Sequence, residues 1–467
     1  MKLPVITTLL TALLLNAWQI PAIAQNTMDS TVSLSLKQAQ DYALQNNLNS
    51  KNSILDLEIA KKRVWETTAI GLPQVSGNAN YTHLFKVPEL SLGGTTFLAT
   101  DLPPGTPLTS TDITNENVYM GFTPSDPIQL GLPNNITYDI TVSQLVFSGE
   151  YLVGLQGVKV YYQMADLKKK KADLDIKETV ANSYVLALVL EQTRDVLIKS
   201  LDNTKKTLFE MQQMFKQGLV ENTDVDQIEL ISLTLINGIS STNRQIDATY
   251  DLIKYQLGMP FTNKLLLTDG LENLASTINL ESIVATQFNL NNNIDYNLVT
   301  TAETISKIQL KLAKTAYLPS ISAVYRHSGK LNQPAFDFNP NDVIQVGMSV
   351  PIFSSGIRNS RVQQRTMDLK KSTNTKNDLA NGLNLQYINT RNELTTAYEK
   401  YLNDKKNIEL TKRIYDKTII KFQEGIATSR QITDNLNQFL TAQGNYFNSI
   451  FSIISAKNKL DKLNNNL

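Results

Sequence analysis

The sequence predicts a mainly α-helical protein with a few β-strands, built from two copies of one long structural repeat. Three observations indicate this fold: a proline-free helical segment at 154–217, a second copy of it 207 positions later, and strand-like alternation before each copy. Apolar residues of the first segment recur at spacings of 3, 4 and 7, which is typical of a packed coiled-coil helix. At ~1.5 Å per residue, that helix is roughly 96 Å long. A globular domain does not require a helix of this length.

The N-terminus has the pattern of a secretory signal peptide over residues 1–24. Lys2 is the charged start, an apolar run extends from Leu3 to Leu15, and Ala22-Ile23-Ala24 provides the small-residue cleavage site. The apolar run is too short for a membrane anchor. The chain has no cysteine and a formal net charge of +1. The sequence therefore predicts no disulfide, no cysteine metal ligand and no nucleic-acid partner.

The first repeat is predicted to cover residues 25–279. A helical pattern from Leu34 to Leu72 ends before Pro73, because proline discourages helix in the residue that precedes it. Strand alternation follows at 73–86 and 135–148. The Gly- and Pro-rich stretch between these strands, 87–134, is predicted to be a long exposed loop. The later elements are the long helix at 154–217, a helix at 222–257 and a connector at 259–279.

The second repeat, residues 280–467, has the same order of elements. Leu34–Pro73 aligns without a gap on Leu280–Pro319, and Phe147 aligns on Phe353. The halves differ mainly in the first loop, which is about 40 residues longer than its counterpart. The predicted elements are a helix, strands at 319–332 and 341–354, a long helix at 357–424 and a helix at 429–463.

Membrane entry by this chain would require a closed sheet. There is no second apolar run of about 20 residues, so the sequence predicts no transmembrane helix. Only helices and closed sheets satisfy their backbone groups in lipid. Four strands cannot enclose a pore, since roughly eight strands leave an interior only wide enough for side chains. A pore therefore needs several chains, and three copies supply twelve strands.

Short motifs occur in the same order in both halves of the chain. They are Leu72-Pro73-Gln74-Val75-Ser76 with Leu318-Pro319-Ser320-Ile321-Ser322, Gln144-Leu145-Val146-Phe147-Ser148-Gly149 with Val350-Pro351-Ile352-Phe353-Ser354-Ser355-Gly356, and the turns Gly218-Leu219-Val220 and Phe422 to Gly425. With these motifs twice in this order, the chain resembles the TolC-type outer membrane factors, the exit ducts of efflux and secretion systems. The resemblance covers essentially all of the chain after the signal peptide.

The resemblance implies a homotrimer with a twelve-stranded β-barrel in the outer membrane of a Gram-negative bacterium, in contact with its lipid. It also implies a long coiled-coil α-helical barrel in the periplasm and a mixed belt formed by residues 259–279 and the C-terminal end. The implied partners at the periplasmic end are a periplasmic adaptor (membrane fusion protein) and an inner-membrane transporter. The implied function is passive conduction of substrates as the exit duct of a tripartite efflux or type I secretion system.

The turns that follow the two long helices are predicted to form the periplasmic tip. Glycine is the usual residue just past a helix C-terminus, so structure alone explains Gly218 and Gly425. The resemblance adds adaptor docking as a role. The docking residues implied in this way are Gly218, Leu219, Val220, Gly425, Ile426 and Ala427. Thr428 and Gln431 have capping-box spacing for the helix that follows.

The resemblance also implies a gate near the tip, closed by polar contacts between neighbouring coiled coils. Asp224 matches a linking aspartate of the family and Asp434 matches one of two aperture aspartates, whereas Gln431 replaces the other. Phe422 stands where a tyrosine is common, and Arg430 lies near the position of the usual linking arginine. A ring of Asp434 carboxylates would favour cations. The alternative is that these residues are solvated charges beside a helix cap.

Aromatic residues on or near the four strands suit a girdle at the lipid interfaces of an outer-membrane barrel. They are Tyr81, Phe85, Tyr138, Phe147, Tyr325 and Phe353. A single aromatic residue in any half-buried strand would look the same, so the prediction depends on the set. The two histidines of the chain, His83 and His327, are expected at surface or lumen positions.

No catalytic motif is recognisable in the sequence: HExxH, the P-loop and GxGxxG are all missing. The sequence therefore predicts no enzyme activity, no catalytic residue, no cofactor and no metal site. Two other functions remain open. One is a periplasmic coiled-coil scaffold that never enters a membrane, which would leave the four alternating strands without a role. The other is an enzyme on a helical stalk, for which site residues are lacking.

Overall fold

The computed structural model describes residues 31–90, 94–100, 107, 118–124, 128–129, 131–285, 287–332 and 340–467. The predicted signal peptide, 1–24, lies outside the described residues. The elements in chain order are β1 (Thr31–Leu34), α1 (Leu36–Asn46), α2 (Leu48–Ala69), β2 (Gln74–His83), β3 (Glu89–Leu90), β4 (Gly94–Thr100), β5 (Val118–Pro124), β6 (Ile128–Gln129), β7 (Asn134–Ser148), α3 (Gly149–Lys216), α4 (Asn222–Leu257), β8 (Lys264–Leu267), α5 (Leu271–Ser276), α6 (Leu280–Ala285), α7 (Ile294–Thr315), β9 (Ser320–Lys330), β10 (Asp342–Ser349), α8 (Ile357–Gln423) and α9 (Ser429–Leu463).

The chain divides into two compact units, and each unit takes segments from both sequence repeats. The first unit contains the described residues up to Ser53 together with Lys170–Asn293 and Leu383–Leu467. The second unit contains Ile54–Lys169 and Ile294–Gly382. The units therefore do not coincide with the predicted repeats, because the long helices α3 and α8 each contribute to both units.

Both long helices form without interruption. Helix α3 has 68 residues and begins at Gly149, before the predicted start at 154, while α8 has 67 residues. Neither contains a proline, which would remove a backbone hydrogen bond and kink the helix. Helix α4 coincides with the predicted range 222–257, and α9 with 429–463.

The helix predicted from Leu34 to Leu72 is wrong in one respect: it is two helices that meet at Asn47. Asn47 has an extended backbone, with a ψ of 134°. Its Nδ2 donates to the carbonyl oxygen of Gln256, near the end of α4, at 2.6 Å. Its Oδ1 accepts from the N–H of Asn49 at 2.7 Å, which caps the start of α2. One side chain therefore joins the end of α4 to the start of α2.

Asn293, which aligns with Asn47, makes the same contact in the second repeat. Its Nδ2 donates to the carbonyl oxygen of Leu463, the last residue of α9, at 3.0 Å. The continuous helix expected by alignment over 280–319 is accordingly interrupted, since α6 ends at Ala285 and α7 begins at Ile294. The duplication thus extends to the asparagine that occupies each helix joint.

The first joint also requires glycine at position 258. Gly258 has a φ of +68° and ends α4 in the left-handed conformation. A Cβ atom there would lie 2.4 Å from the carbonyl oxygen of Asn46. Both the backbone conformation and the close approach of α1 therefore exclude a side chain.

A buried tyrosine ties α3 to the connector of the first unit. The hydroxyl of Tyr184 donates to the carbonyl oxygen of Leu34 at 3.0 Å and accepts from the N–H groups of Thr268 and Asp269, each at 3.2 Å. Burial raises the pKa of Tyr184 to about 12. The predicted connector, 259–279, is thus ordered: β8 pairs in parallel with β1, and the short helix α5 follows.

The second unit contains a four-stranded antiparallel sheet in the order β10-β9-β7-β2. Strand β7 has a bulge between Leu145 and Phe147. The strand predicted over 341–354 is too long, because β10 ends at Ser349 and Pro351 cannot donate to a strand ladder. The strand predicted over 73–86 similarly ends at His83, and that predicted over 319–332 ends at Lys330.

The prediction of a loop over 87–134 is also wrong for most of the residues that the structure describes in this stretch, and the rest of the stretch lies outside the described residues. Strand β4 pairs with β5, from Gly94 opposite Pro124 to Thr100 opposite Val118, and the short strands β3 and β6 pair as well. The Gly- and Pro-rich composition favoured a loop. The threonine, valine and aromatic residues of β4 and β5 favour strands, and here they prevail.

A buried ion pair connects α7 to α8 in the second unit. Glu303 is 5% exposed. It accepts from Lys376 Nζ at 2.7 Å and from Thr373 Oγ1 at 2.8 Å, and Lys307 Nζ lies 3.3 Å away. The Lys376 hydrogen bond is the main cause that lowers the pKa of Glu303 to about 2. The carboxylate therefore stays ionised at neutral pH and fixes the register of the two helices.

Substitution at Gly258 tests the first helix joint. We expect Gly258→Ala to destabilise the protein by about 2 kcal/mol or more, because a left-handed backbone costs a residue with a Cβ ~1–2 kcal/mol and the methyl group meets Asn46. The measurement is the thermal midpoint of the purified protein, followed by circular dichroism at 222 nm. The matched control is Gly382→Ala, at a helical glycine whose Cβ position is open. Equal midpoints for the two variants would contradict this role of Gly258.

Candidate functional site

Each long helix of the chain ends in a turn at a left-handed glycine. Gly218 has a φ of +78° and Gly425 a φ of +75°. The next residue in each turn, Leu219 or Ile426, donates its N–H to the carbonyl oxygen five residues earlier, at 2.9 and 2.8 Å respectively. This is the Schellman arrangement that ends a helix and reverses the chain. The sequence thus builds two similar helical hairpins, α3–α4 and α8–α9.

The predicted docking residues divide into outward-facing and inward-facing positions. Leu219 is 64% exposed and Ile426 is 71% exposed. No atom lies within 4 Å of the Cβ positions of Gly218 and Gly425. Val220 and Ala427 instead pack against the hydrophobic cluster below the turns. The turns therefore present two large apolar side chains on an open glycine backbone.

The hydrophobic cluster below the turns holds the two hairpins side by side. It contains Met211, Val225, Ile228, Leu235, Tyr415, Phe422, Ile432, Leu436 and Phe439. Phe422, which the resemblance places at a gate, is 5% exposed within this cluster. A phenyl ring suits that environment because it has no hydroxyl group to satisfy. Phe422 therefore packs between the hairpins in this structure.

A polar contact also joins the two turns. Asp224 Oδ1 accepts a hydrogen bond from the hydroxyl of Ser429, the first residue of α9. Asp224 Oδ2 accepts from the N–H of Glu221, the N-cap residue of α4, at 3.3 Å. One carboxylate thus lies beside the first turns of two helices, where the helix dipole stabilises negative charge. Sequence reasoning missed Ser429, because its only visible signal is its place beside a capping box.

The remaining predicted gate residues lie on the first turns of α9. Thr428 and Gln431 form the predicted capping box. The N–H of Thr428 donates to Gln431 Oε1 at 3.0 Å, and the N–H of Gln431 donates to Thr428 Oγ1 at 3.3 Å. The Gln431 side chain is therefore engaged in the cap. Arg430 and Asp434 are exposed, and Arg430 Nε lies 3.9 Å from Asp434 Oδ2. An exposed pair at this distance contributes little to stability. The Asp434 carboxylate therefore remains accessible to solvent.

The register of the four-stranded sheet sorts its side chains onto two faces. One face is apolar, and its central members are Val75, Ala79, Ile136, Ile140, Val142, Ile321, Ala323, Ile344, Val346 and Met348. Val346, for example, is 68% exposed. The opposite face carries mostly hydroxyl and amide groups. A large apolar surface exposed on a monomer marks a site that another molecule or a lipid covers.

Four of the predicted girdle residues share the apolar face. They are Tyr81, Tyr138, Phe147 and Tyr325. The bulge before Phe147 keeps its side chain on this face, opposite Ile321. Phe85 and Phe353 lie just beyond strand ends and are exposed. The structure therefore brings the strand members of the set to one surface.

A Tyr-x-His motif occurs on this face in both repeats, and each copy converges on one oxygen atom. The Tyr81 hydroxyl and His83 Nδ1 lie 3.0 and 2.8 Å from Asn134 Oδ1. The Tyr325 hydroxyl and His327 Nδ1 both lie 2.8 Å from Asp342 Oδ1. The two histidines thus sit on the apolar face, near the sheet end where β2 and β9 finish.

The described part of the chain offers neither a membrane-spanning helix nor a metal site. Over the ranges given above, none of the helices is long and apolar enough to cross a bilayer. The same residues include no group of three or more histidine, aspartate or glutamate side chains placed to hold a metal ion.

Solved structures of outer-membrane channels resemble the chain along most of its length. A CusC structure, from work on folding and transmembrane channel formation, has a TM-score of 0.70 at 12% identity and covers 93% of this chain and 92% of its own. The outer membrane protein VceC from Vibrio cholerae has a TM-score of 0.67 at 14% identity, and the match covers 92% of this chain and 96% of VceC. The CmeC outer membrane channel of Campylobacter jejuni has a TM-score of 0.68 at 14% identity, and the match covers 92% of this chain and 85% of CmeC.

Other comparisons find no relative: no protein-family model and no curated protein matches the chain. At identities of 12–14%, the structural likeness shows the fold alone. The chain has the fold of these channels, and the mainly helical chain fold predicted from the resemblance to the TolC-type proteins is confirmed.

A double-mutant cycle tests the contact between the turns. We expect Ser429→Ala to lower the local stability of the turns by about 1 kcal/mol. Asp224→Ala should lower it further because it also removes the hydrogen bond from the N–H of Glu221. The double variant should lose little more than Asp224→Ala, because the hydrogen bond between the two side chains is then already gone. Hydrogen exchange at residues 218–224 and 425–431 measures this stability. Glu229→Ala, at an exposed carboxylate of α4, is the control. Fully additive effects would show that the two side chains act independently.

Proposed function

We propose that the chain is an outer-membrane channel, the exit duct of a tripartite efflux or type I secretion system. The observation that carries this proposal is the sheet, which has one exposed apolar face and one polar face in a chain with the fold of outer-membrane channels. An apolar band facing outward and a polar lining suit strands that surround an aqueous passage in lipid. The duct is passive and is not an enzyme, so a partner supplies the energy for transport.

The edges of the sheet support a homotrimer. Within the described strands, β2 and β10 each pair on one side only. An unpaired backbone group in lipid costs several kcal/mol, so both edges need a strand partner in the membrane. Pairing of β10 in one copy with β2 in the next satisfies both edges at once. Three copies then close a ring of twelve strands with its apolar face toward the outer-membrane lipid.

The helical turns are the proposed docking point for a periplasmic adaptor (membrane fusion protein), which joins the duct to an inner-membrane transporter. Leu219 and Ile426 present apolar side chains on open turns, which suits a protein partner. Docking there shifts the population toward an open tip if the adaptor fits the open form better. The Asp224–Ser429 contact holds the two hairpins of one chain together at this docking point.

Asp434 is the proposed aperture residue. Its carboxylate is exposed, whereas the side chains of Phe422 and Gln431 are engaged in packing and capping. Three copies would place three carboxylates near the axis of the tip, and like charges in a narrow passage attract cations. Arg430, one turn earlier on the same helix, moderates this charge.

Cysteine labelling tests which face of the sheet contacts lipid. The chain has no cysteine, so a single introduced thiol reports its own position. We expect Ser322→Cys, on the polar face, to react in outer-membrane vesicles with a charged, membrane-impermeant thiol reagent. Val346→Cys, on the apolar face, should not react there because lipid covers it.

Two controls make this result interpretable. Both variants should react after denaturation, which shows that each thiol is present. A variant that reacts in neither state carries no thiol and is discarded. Labelling of Val346→Cys in vesicles as fast as Ser322→Cys would contradict the membrane position of the sheet and favour a periplasmic scaffold.

A further inference from the structure

The polar face of the sheet carries an unequal set of charges. Its described strand positions include one acidic residue, Asp139, and two basic residues, Arg326 and Lys330. Its other members are uncharged. Most carry hydroxyl or amide groups, such as Ser76, Thr137 and Ser322, and a few are small or apolar. Among these described strand positions, two basic side chains therefore stand against one acidic side chain.

The acidic side chain is held by neutral neighbours on its own face. Asp139 Oδ2 accepts from Asn78 Nδ2 at 3.0 Å and from Thr141 Oγ1 at 3.4 Å. These hydrogen bonds occupy one carboxylate oxygen and hold the side chain against the sheet. Both of these hydrogen-bond partners of Asp139 are uncharged, and neither belongs to β9, the strand that carries Arg326.

Arg326 is the cation placed to act on a passing solute. It lies on β9 between Thr141 of β7 and Val343 of β10, neither of which carries a charge. Its side chain is exposed, and within the described residues its guanidinium makes no hydrogen bond or ion pair. A guanidinium is charged at every accessible pH and binds carboxylate or phosphate groups through two parallel hydrogen bonds.

We propose that the sheet section of the duct favours anionic solutes and that Arg326 sets this preference. The inference rests on the proposed function and names a substrate class: solutes that carry carboxylate, phosphate or sulfonate groups. Rings of basic side chains select anions in pores, and a low-dielectric wall strengthens their field. Three copies of the chain repeat Arg326 around the passage, with an uncharged residue, Thr141 or Val343, beside it on each neighbouring strand.

Reversal potentials test the inference. Because the proposed Asp434 aperture would itself favour cations, the parent protein and all variants carry Asp434→Asn. The purified protein is inserted into planar bilayers under a KCl gradient centred near 0.1 M, where the Debye length is ~10 Å. We expect Arg326→Gln to lower the chloride-to-potassium permeability ratio by about twofold or more. Arg326→Lys should keep the parent ratio because it keeps the charge. Asp139→Asn should raise the ratio.

The salt dependence separates a charge effect from a change in shape. At 1 M salt, where the Debye length is ~3 Å, the difference between Arg326→Gln and the parent should shrink. Pores whose permeability ratio is the same in the parent and in Arg326→Gln at low salt would overturn the inference and leave the proposed function intact. Absence of pores, together with fast labelling of Val346→Cys in vesicles, would instead remove the proposed function.

Discussion

The register of the antiparallel sheet is the constraint on which the proposed role of the chain depends. Because side chains alternate between the two faces of a strand, a shift of one residue would move every apolar side chain onto the polar face. The pairing of Val75 with Val142 and of Tyr325 with Ile344 keeps the apolar residues together. The bulge in β7 places Phe147 opposite Ile321, so the side chain of Phe147 also lies on the apolar face. An apolar and a polar face on one sheet are what a duct wall in lipid requires.

Each repeat of the chain uses an asparagine side chain to join two helices. Asn47 and Asn293 each donate a side-chain hydrogen bond to a carbonyl oxygen at the end of the second helix of their repeat. Helix ends leave carbonyl groups without a partner, so one amide satisfies an acceptor at the point where another helix begins. At the other end of these helices, the two turns share the carboxylate of Asp224. Short polar contacts at helix ends thus complement the hydrophobic packing between them.

Features that depend on neighbouring residues could be predicted from the sequence, whereas those that depend on distant ones could not. The proline-free long helices, the alternating strands and the Thr428–Gln431 capping box all follow from local spacing. The break at Asn47 depends on a carbonyl group 209 positions away, and the Asp224–Ser429 contact joins residues 205 positions apart. The burial of Phe422 likewise depends on helices from both hairpins. The local spacing of residues was enough to predict most helices and strands, and the duplication indicated which elements of the two repeats correspond.

The oligomeric mass of the protein extracted from outer membranes tests the central claim most directly. Light scattering that separates the protein from bound detergent gives the protein mass alone. The proposed duct predicts about three times the mass of the chain without its signal peptide, which is somewhat below the 52.2 kDa of the full sequence. It also predicts a requirement for detergent, because a closed ring of copies pairs both sheet edges and leaves an apolar outer surface. A monomer or dimer that stays in solution without detergent would contradict the duct.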